Sequence, residues 1–476
     1  MDSITCPVAR WADKAPNAPA VIAGSSVIAY SQLHRRIISA DNHLAGVGIE
    51  RGTRVAVLLS NTLDSVIALL ALTRLGAVAA LVSTRLPDEA IPGLITKLGC
   101  NFLLHDRTLS SSIPSVTQIN VASFTSAIGG KSSSDGAIPL ESPAVAVFTS
   151  GSSGEPKAAL LSYGNLYFNA LGSNENITVG PGERWLLSLP LYHVGGLGIL
   201  FRTILAGGTV VIPDRGANLA SAIASHNISH ISVVTTQLHR LLEDRAQLKD
   251  LGSLRAILIG GSMVPRSLIS RSIEAELPIF TSYGLTEMAS QVTTTAPGDP
   301  IDRLLTSGRL LPHGQLLILS DGEMFVTGQT RFQGYLTNSV LETPFDHNGW
   351  FGTGDLGTLD QKGYLSVTGR KDNRFVSGGE NIQPEEIERA LLENQMIEEA
   401  VVVPIENDEY GFRPVAFVKP SPGSVLNQGS LERQLRERLP RFKIPDRILP
   451  WPTKLINSGI KPSRAQLQKL ARKAVS

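Results

Sequence analysis

The sequence predicts an α/β protein: a large N-terminal domain with parallel-rich sheets and helices, followed by a small α+β C-terminal domain. The chain has 476 residues, and single hydrophobic cores rarely extend beyond about 250–300 residues. Short apolar runs alternate with helical patterns over most of the chain, as in parallel sheets covered by helices. After about Gly349 the pattern changes to short strands and polar turns, which indicates a second domain.

The first strand–helix–strand unit lies near the N-terminus. Residues 54–60 are apolar, residues 63–75 have helical spacing, and residues 77–83 are apolar again. Further buried strands are predicted at Ala144–Thr149, Thr209–Ile212, Ile228–Val234, Arg255–Ile259 and Ile279–Tyr283. The intervening stretch from Ser110 to Pro143 is rich in Ser, Gly and Pro, which favours exposed loops.

The C-terminal part predicts a different arrangement. Residues 350–369 read as two strands around the turn Asp360–Gly363, and Pro384 with two following glutamates suits the first turn of a helix. Later strands are expected at Ala400–Pro404 and Pro414–Val418, and helices near Ser430–Arg438 and Pro462–Ala474. We therefore expect a large domain over residues 1–368, a hinge at residues 369–372 and a small domain over residues 373–476.

Composition favours a small-molecule ligand. The 43 basic and 42 acidic residues nearly cancel, so overall charge favours neither nucleic acid nor an anionic membrane. Cys6 and Cys100 provide neither a disulfide framework nor a thiol set for zinc. Residues 1–11 do not resemble a signal peptide, and the apolar stretch Val66–Val82 is shorter than the ~20 residues that span a bilayer. We expect a cytoplasmic protein without a transmembrane segment, and the sequence leaves open whether it forms an oligomer.

A Gly- and Ser-rich segment ending in lysine follows the strand predicted at Ala144–Thr149. Its candidate phosphate-binding residues are Thr149, Ser150, Gly151, Ser152, Ser153, Gly154 and Lys157. Glycine permits close backbone approach, hydroxyl and N–H groups donate to phosphate oxygens, and lysine supplies a mobile positive charge. A Walker loop needs Gly immediately before its Lys, but Pro156 stands there, which disfavours P-loop NTPases. A surface turn remains the alternative from these residues alone.

This segment resembles the phosphate motif of the adenylate-forming enzymes, a superfamily that includes acyl-CoA synthetases, luciferases and nonribosomal adenylation domains. Three further motifs follow in the expected order: residues 283–287 (YGLTE) resemble the adenine and magnesium motif, Gly354-Asp355 the ribose motif, and residues 369–372 (GRKD) the hinge motif. The resemblance spans essentially the whole chain. It implies ATP, Mg²⁺ and a thiol such as CoA as co-substrates, and a small domain that rotates between two half-reactions.

The resemblance also implies roles for individual residues. Those placed at the nucleotide are Gly260, Gly261, Ser282, Tyr283, Gly284, Thr286, Asp355 and Arg370. The flat ring of Tyr283 suits stacking on adenine, Asp355 can accept hydrogen bonds from the ribose hydroxyls, and Glu287 offers a hard oxygen ligand to Mg²⁺. Without the motifs, the same residues could be a strand-end aromatic, a turn residue and a surface carboxylate.

In the C-terminal part, Asp372 matches the hinge position of the family. Residues Ser377, Gly378, Gly379 and Glu380 resemble its loop along the CoA tunnel, with a plain hairpin turn as the alternative. Many relatives carry a Gly-Lys pair near the C-terminus, whereas this chain has Gly459-Ile460-Lys461. This arrangement is similar to one branch of o-succinylbenzoate ligases and implies that Lys461, rather than Lys454, is the catalytic lysine.

The expected acid depends on His193 and Arg202. The segment Leu189–Gly196 matches the acyl pocket of the family, where the histidine lies near the reacting carboxylate and Gly284 lines the substrate site. Arg202 lies in the apolar run Gly198–Leu205, where an arginine is costly to bury unless an anion meets it. A second substrate carboxylate would supply that anion, whereas the alternative is a surface charge on an amphipathic helix.

Together these features resemble the o-succinylbenzoate–CoA ligases, which act in menaquinone and phylloquinone synthesis. Thr235–Leu238 and residues 260–265 (GGSMVP) add to this similarity. Three alternatives stay open: a ligase for another aryl or alkyl acid, an enzyme that loads a carrier protein, and an adenylate-binding protein without catalysis.

Overall fold

The structure, a computed structural model, describes residues 2–107, 113–126, 137–149, 157–243, 245–338, 340–421, 423–452 and 464–475. The candidate phosphate loop 150–156 and Lys461 therefore lie outside the described residues. The α-helices of the described part are α1 (Pro7–Lys14), α2 (Tyr30–Gly46), α3 (Leu63–Leu75), α4 (Ile91–Lys97), α5 (Tyr163–Asn176), α6 (Val194–Ala206), α7 (Leu219–Ser225), α8 (Thr235–Glu243), α9 (Arg266–Glu274), α10 (Ile301–Leu304), α11 (Pro384–Leu392), α12 (Gln428–Arg436) and α13 (Arg464–Val475).

The strands occupy most of the remaining regular structure. In chain order they are β1 (Ser3–Thr5), β2 (Pro19–Ala23), β3 (Ser26–Ala29), β4 (Arg54–Leu58), β5 (Val78–Leu81), β6 (Phe102–His105), β7 (Thr117–Asn120), β8 (Ala137–Pro139), β9 (Pro143–Thr149), β10 (Lys157–Ser162), β11 (Arg184–Leu186), β12 (Thr209–Ile212), β13 (His230–Val233), β14 (Ala256–Ile259), β15 (Ile279–Leu285), β16 (Ser290–Thr294), β17 (Arg309–Leu310), β18 (Gly314–Ile318), β19 (Glu323–Gly328), β20 (Gly334–Thr337), β21 (Val340–Glu342), β22 (Phe351–Leu359), β23 (Leu365–Arg370), β24 (Phe375–Ser377), β25 (Glu380–Ile382), β26 (Ile397–Asn407), β27 (Gly411–Pro420) and β28 (Arg447–Pro450).

Two large sheets form the N-terminal part of the described chain. One has the strand order β21-β20-β10-β9-β5-β4-β6-β7, and the other β17-β16-β15-β14-β13-β11-β12-β2-β3. The central strands of the second sheet, from β15 to β2, all pair in parallel, while antiparallel strands close both ends. Helices α3 and α6 carry apolar side chains on nearly every face and are buried, so the main core lies between sheets and helices.

The parallel-rich α/β prediction is confirmed, and several element bounds agree closely. Helix α3 begins after Thr62, whose hydroxyl accepts a hydrogen bond from the Ser65 amide, and it ends at Gly76 with φ of 77°, as expected for a Ser/Thr N-cap and a glycine C-cap. The prediction of loops between Ser110 and Pro143 is only partly correct. Strands β7 and β8 lie there. Both strands are short and partly exposed, so they contain no apolar run from which a strand could be predicted.

The chain divides into two compact units. Unit 1 comprises residues 1–262, 273–317 and 325–351, and unit 2 comprises residues 263–272, 318–324 and 352–476. Within unit 2, β26 and β27 pair antiparallel, β28 adds in parallel, and α11 and α12 pack on an apolar cluster around Ile387, Val402 and Leu435. The hinge at residues 369–372 stays a prediction. No helix in the described part of the chain is long and apolar enough to span a membrane.

Candidate active site

Several candidate residues of unit 1 lie at the carboxyl ends of neighbouring parallel strands. In the sheet order β15-β14-β13-β11, Tyr283 lies near the end of β15, and Gly260, Thr235 and Ser188 follow β14, β13 and β11. Side chains there bind to the adjacent strand end: Ser282 Oγ donates to the Ile259 carbonyl at 3.0 Å, and Gln237 Nε2 donates to the Ser188 carbonyl at 3.3 Å. In open parallel sheets this edge is where ligands bind.

Strand β15 carries the candidate adenine motif out of the core. Its first three residues are buried, whereas exposure begins at Ser282 and Gly284 is exposed. The pairing with β16 shifts between Tyr283 and Gly284, and a Cβ atom at Gly284 would lie 2.1 Å from the Ser290 carbonyl oxygen. Gly284 is therefore required by close backbone approach at an irregularity of the sheet, whatever ligand binds beside it.

Glu287 lies directly after this strand in a 3₁₀ turn, Thr286–Met288. Tyr335 on β20 donates from its hydroxyl to Glu287 Oε1 at 2.5 Å, so the hydroxyl orients the candidate metal ligand. Tyr335 was not predicted as a site residue, because it lies 48 residues away in sequence and matches none of the motifs. A Tyr in a strand has no local signal of such a contact.

Lys157 and Thr149 are the described ends of the candidate phosphate loop. They are paired in the antiparallel ladder of β9 and β10, so the loop connects two strands of a hairpin. Lys157 Nζ lies 5.4 Å from the ring centroid of Tyr335 and 3.8 Å from a carboxylate oxygen of Glu342. The lysine and Glu287 thus share Tyr335 as a neighbour.

His193 immediately precedes α6, at the N-cap position. Asn61 fixes the preceding segment, since its Nδ2 donates to the Leu189 carbonyl at 2.8 Å and its Oδ1 accepts from the Leu191 amide at 3.0 Å. His193 is solvent-exposed, but partial loss of hydration and then the positive charge of Arg85 lower its pKa. The lowered pKa favours the neutral imidazole near pH 7, and the imidazole and the Tyr192 ring pack edge to face at a centroid distance of 4.7 Å.

Arg202 is fully buried in α6, with 1% of its surface exposed. The expectation of a buried arginine is confirmed, and the alternative of a surface charge is wrong. Its Nε donates to the Gly198 carbonyl at 2.7 Å, while Nη1 has no hydrogen-bond partner among the described residues. Burial lowers its pKa from 12.5 to about 9, so the guanidinium remains positively charged at neutral pH.

Arg202 lies beside the candidate adenine motif. A Cβ atom at Gly198 would lie 2.5 Å from Arg202 Nη2 and 3.3 Å from Ser290 Oγ, and Ser290 pairs with Leu285 in the β15–β16 ladder. The start of α6 and the exposed end of β15 therefore meet at Ser290. This arrangement places both the buried Arg202 guanidinium and the Ser290 hydroxyl beside Gly198.

Unit 2 holds a separate group of candidate residues on the hairpin β22–β23. Asp355 and Arg370 are paired in register, and Arg370 Nη1 donates to Asp355 Oδ1 at 2.8 Å, with Nη2 3.4 Å from Asp372 Oδ2. The structure thus brings the candidate ribose, phosphate and hinge residues together. Gly354, with φ of 70°, provides the left-handed backbone that precedes Asp355.

The candidate CoA segment forms the turn of the hairpin β24–β25. Gly378 and Gly379 have φ values of 57° and 87°, as a two-residue turn with positive φ at both positions requires. Ser377 is buried, and its hydroxyl accepts from Arg413 Nη1 at 3.3 Å, whereas Glu380 is exposed. The hairpin alternative thus describes the local conformation, and a role in CoA binding stays a prediction.

The geometry corresponds to a known class of enzymes. The family described as AMP-binding enzyme matches residues 8–336, and the AMP-binding enzyme C-terminal domain matches residues 386–455. The chain belongs to the AMP-binding enzyme family.

Particular members of the family are similar over nearly the whole chain. A 2-succinylbenzoate–CoA ligase of Bacillus cereus is 33% identical over 444 residues, covering 90% of this chain and 91% of the relative, and one of Bacillus mycoides is 32% identical over 469 residues, covering 96% of each. The o-succinylbenzoate CoA synthetase of Bacillus subtilis, solved with its acyl-adenylate intermediate, superposes with a TM-score of 0.87 at 30% identity over 98% of this chain and 99% of that one.

Proposed function

We propose that this protein is an ATP-dependent acid–CoA ligase that converts 2-succinylbenzoate, ATP and CoA to 2-succinylbenzoyl-CoA, AMP and pyrophosphate. Family membership and the named relatives support the reaction class. We place the reaction in menaquinone or phylloquinone synthesis and in the cytoplasm.

The observation that carries the choice of acid is Arg202. This buried guanidinium has an N–H group without a hydrogen-bond partner among the residues that the structure describes, which is unfavourable unless an anion completes its hydrogen bonds. 2-Succinylbenzoate has two carboxylates: the succinyl group is activated, and the ring carboxylate remains free. We assign the ring carboxylate to Arg202, since guanidinium and carboxylate form strong charge-assisted hydrogen bonds.

In the first half-reaction, an oxygen of the succinyl carboxylate attacks the α-phosphorus of ATP, and the bond between the α- and β-phosphates breaks. The products are the acyl-adenylate and pyrophosphate. Tyr283 and Gly284 would hold the adenine and the acid, the loop from Thr149 to Lys157 the phosphates, and neutral His193 would lie beside the reacting carboxylate. Lys461 would offset negative charge on the α-phosphate, a contribution worth about 3 kcal/mol for one preorganised donor.

The residues present fit a magnesium ion carried by ATP. Within the described ranges, no group of three or more His, Cys, Asp or Glu side chains could hold a metal. A single oriented carboxylate, Glu287, is what a Mg²⁺ ion bound mainly by phosphates and water requires from the protein. When bound, the ion would neutralise phosphate charge, while Tyr335 holds the Glu287 carboxylate in place.

In the second half-reaction, the CoA sulfur attacks the acyl carbon, the acyl–phosphate bond breaks, AMP leaves and the thiol proton is released. Adenylation is needed because a carboxylate oxygen is a poor leaving group. We assign Asp355 and Arg370 to the AMP ribose and phosphate, Asp372 to the hinge, and the Ser377–Glu380 hairpin to the CoA tunnel.

A CoA-ligation assay coupled to pyrophosphate release tests this function. The purified protein should convert 2-succinylbenzoate far faster than benzoate, butyrate or long-chain fatty acids. Equal turnover of the monocarboxylates would assign another acid, and pyrophosphate release without consumption of free CoA would favour carrier-protein loading. Absence of acid-dependent ATP–pyrophosphate exchange would instead indicate a protein without catalysis.

A further inference from the structure

Trp185 is the aromatic neighbour of the buried arginine. It is the central residue of the short strand β11 and is fully buried. The Arg202 Cζ atom lies 4.9 Å from its ring centroid, within the range of a cation–π contact. The indole N–H donates to Ser232 Oγ at 3.2 Å, which fixes the ring through the neighbouring strand β13.

An aromatic ring does not neutralise the charge of a guanidinium in the way that a carboxylate does. The ring face attracts the guanidinium charge but accepts no conventional N–H hydrogen bond, and Nη1 of Arg202 has no hydrogen-bond partner in the part of the chain that the structure describes. Arg74 shows a contrast in charge, since it lies in a buried ion pair with Asp41 at 3.1 Å. An arginine paired in that way has its charge neutralised before any ligand arrives.

The remaining contacts of Arg202 restrict its position further. Nε is held by the Gly198 carbonyl at 2.7 Å, and Gly198 must lack a side chain because a Cβ atom there would lie 2.5 Å from Nη2. The ring of buried His230 lies 4.9 Å from that of Trp185, and its Nε2 is 3.0 Å from the Thr178 carbonyl oxygen. Trp185 is thus held firmly while it contacts the guanidinium.

We propose that Trp185 is a positioning residue that makes the enzyme selective for a dicarboxylic acid, because its ring holds the Arg202 guanidinium while leaving an N–H group free for the second carboxylate of the substrate. This inference rests on the proposed function. It assigns the selectivity to a pair of residues, Trp185 and Arg202, in which only Arg202 touches the acid.

The test compares 2-succinylbenzoate with 4-oxo-4-phenylbutanoate, which has the same succinyl arm but lacks the ring carboxylate. The measured quantity is the ratio of kcat/KM for the two acids. In W185L and W185M the ring face is lost, and the ratio should fall about 10- to 30-fold, the equivalent of a desolvated cation–π contact of about 2 kcal/mol. The fall should come from a higher KM for 2-succinylbenzoate, with the KM for ATP and the kcat/KM for 4-oxo-4-phenylbutanoate unchanged. W185F keeps an aromatic face and should retain most of the ratio.

Two controls separate positioning from loss of structure. W11L also removes a buried indole, whose N–H donates to the Leu205 carbonyl at 3.2 Å, and should leave the ratio unchanged. In an R202L background, W185L or W185M should have no further effect on the ratio, since Trp185 acts through Arg202.

The outcomes distinguish this inference from the proposed function. If wild-type enzyme treats the two acids alike, the proposed substrate is wrong. If wild-type enzyme prefers 2-succinylbenzoate and folded W185M or W185L keeps the full preference, the positioning role of Trp185 is refuted. The positioning role would also be refuted if W185L or W185M lowered the ratio of kcat/KM as much in the R202L background as in the wild-type background.

Discussion

Replacing Arg202 by leucine should have opposite effects on stability and on catalysis. In the ligand-free protein, Arg202 is a buried cation whose pKa is lowered from 12.5 to about 9. That difference corresponds to about 5 kcal/mol against the charged form. The Gly198 hydrogen bond and the Trp185 ring offset part of this penalty, so R202L should raise the unfolding free energy by roughly 1–3 kcal/mol.

Catalysis should change in the other direction. Removing the buried, charge-assisted partner of a carboxylate costs about 2–5 kcal/mol of binding free energy. For 2-succinylbenzoate, kcat/KM should therefore fall roughly 30- to several thousand-fold. R202K should recover only part of this loss, because lysine lacks the planar fork of guanidinium. Turnover of 4-oxo-4-phenylbutanoate should stay close to that of the wild type.

Denaturant unfolding without ligand and steady-state kinetics with both acids measure the two effects. A folded R202L that is less stable than wild type would show that Arg202 is a structural residue. An R202L with unchanged kcat/KM for 2-succinylbenzoate would contradict the assignment of the second carboxylate.

Three further predictions concern other residues. Y335F removes the hydroxyl that binds Glu287 at 2.5 Å and should raise the Mg²⁺ concentration for half-maximal ATP–pyrophosphate exchange about 10- to 100-fold; an unchanged Mg²⁺ requirement would exclude this orienting role. Burial lowers the pKa of His230 below 6.5, although Glu183 opposes the shift. The histidine therefore binds a proton more readily in the unfolded chain than in the folded one, and the free energy of unfolding should fall as the pH drops below 6.5. Denaturant unfolding between pH 7 and pH 5 should therefore show a smaller loss for H230Q than for wild type, and an equal loss would contradict this account. In unit 2, Arg464 pairs with buried Glu388 at 2.6 Å, so R464M should lower stability by about 3–5 kcal/mol, with partial recovery in E388Q/R464M; equal unfolding midpoints of R464M and wild type would refute it.

The elements that were predicted correctly have a recognisable pattern within their own sequence. The start of helix α11 was predicted at Pro384 because proline and acidic residues define its first turn, and the helix begins there. The parallel strands of the second large sheet are short apolar runs, and the burial of every residue in β12, β13 and β14 explains why. Half-exposed strands such as β7 lack that signal.

Some features of the candidate site are likewise indicated by the local sequence, whereas others depend on contacts between distant segments. For Arg202 the sequence left two interpretations open, a buried arginine and a surface charge on an amphipathic helix, and the structure shows the arginine buried. The contacts of Trp185 and Tyr335 were not predictable, since they depend on how strands and helices distant in sequence are packed. Tyr335 lies on β20 opposite Ala159 of β10, and no local pattern encodes either that register or the contact with Glu287.

The most direct test of the central claim is product analysis with ATP, CoA and equal concentrations of 2-succinylbenzoate and 4-oxo-4-phenylbutanoate. We predict 2-succinylbenzoyl-CoA as the dominant thioester, formed with one AMP and one pyrophosphate per molecule and largely lost in R202L. Equal amounts of the two thioesters would contradict the proposed function, and so would the absence of any thioester with ATP and CoA left unconsumed.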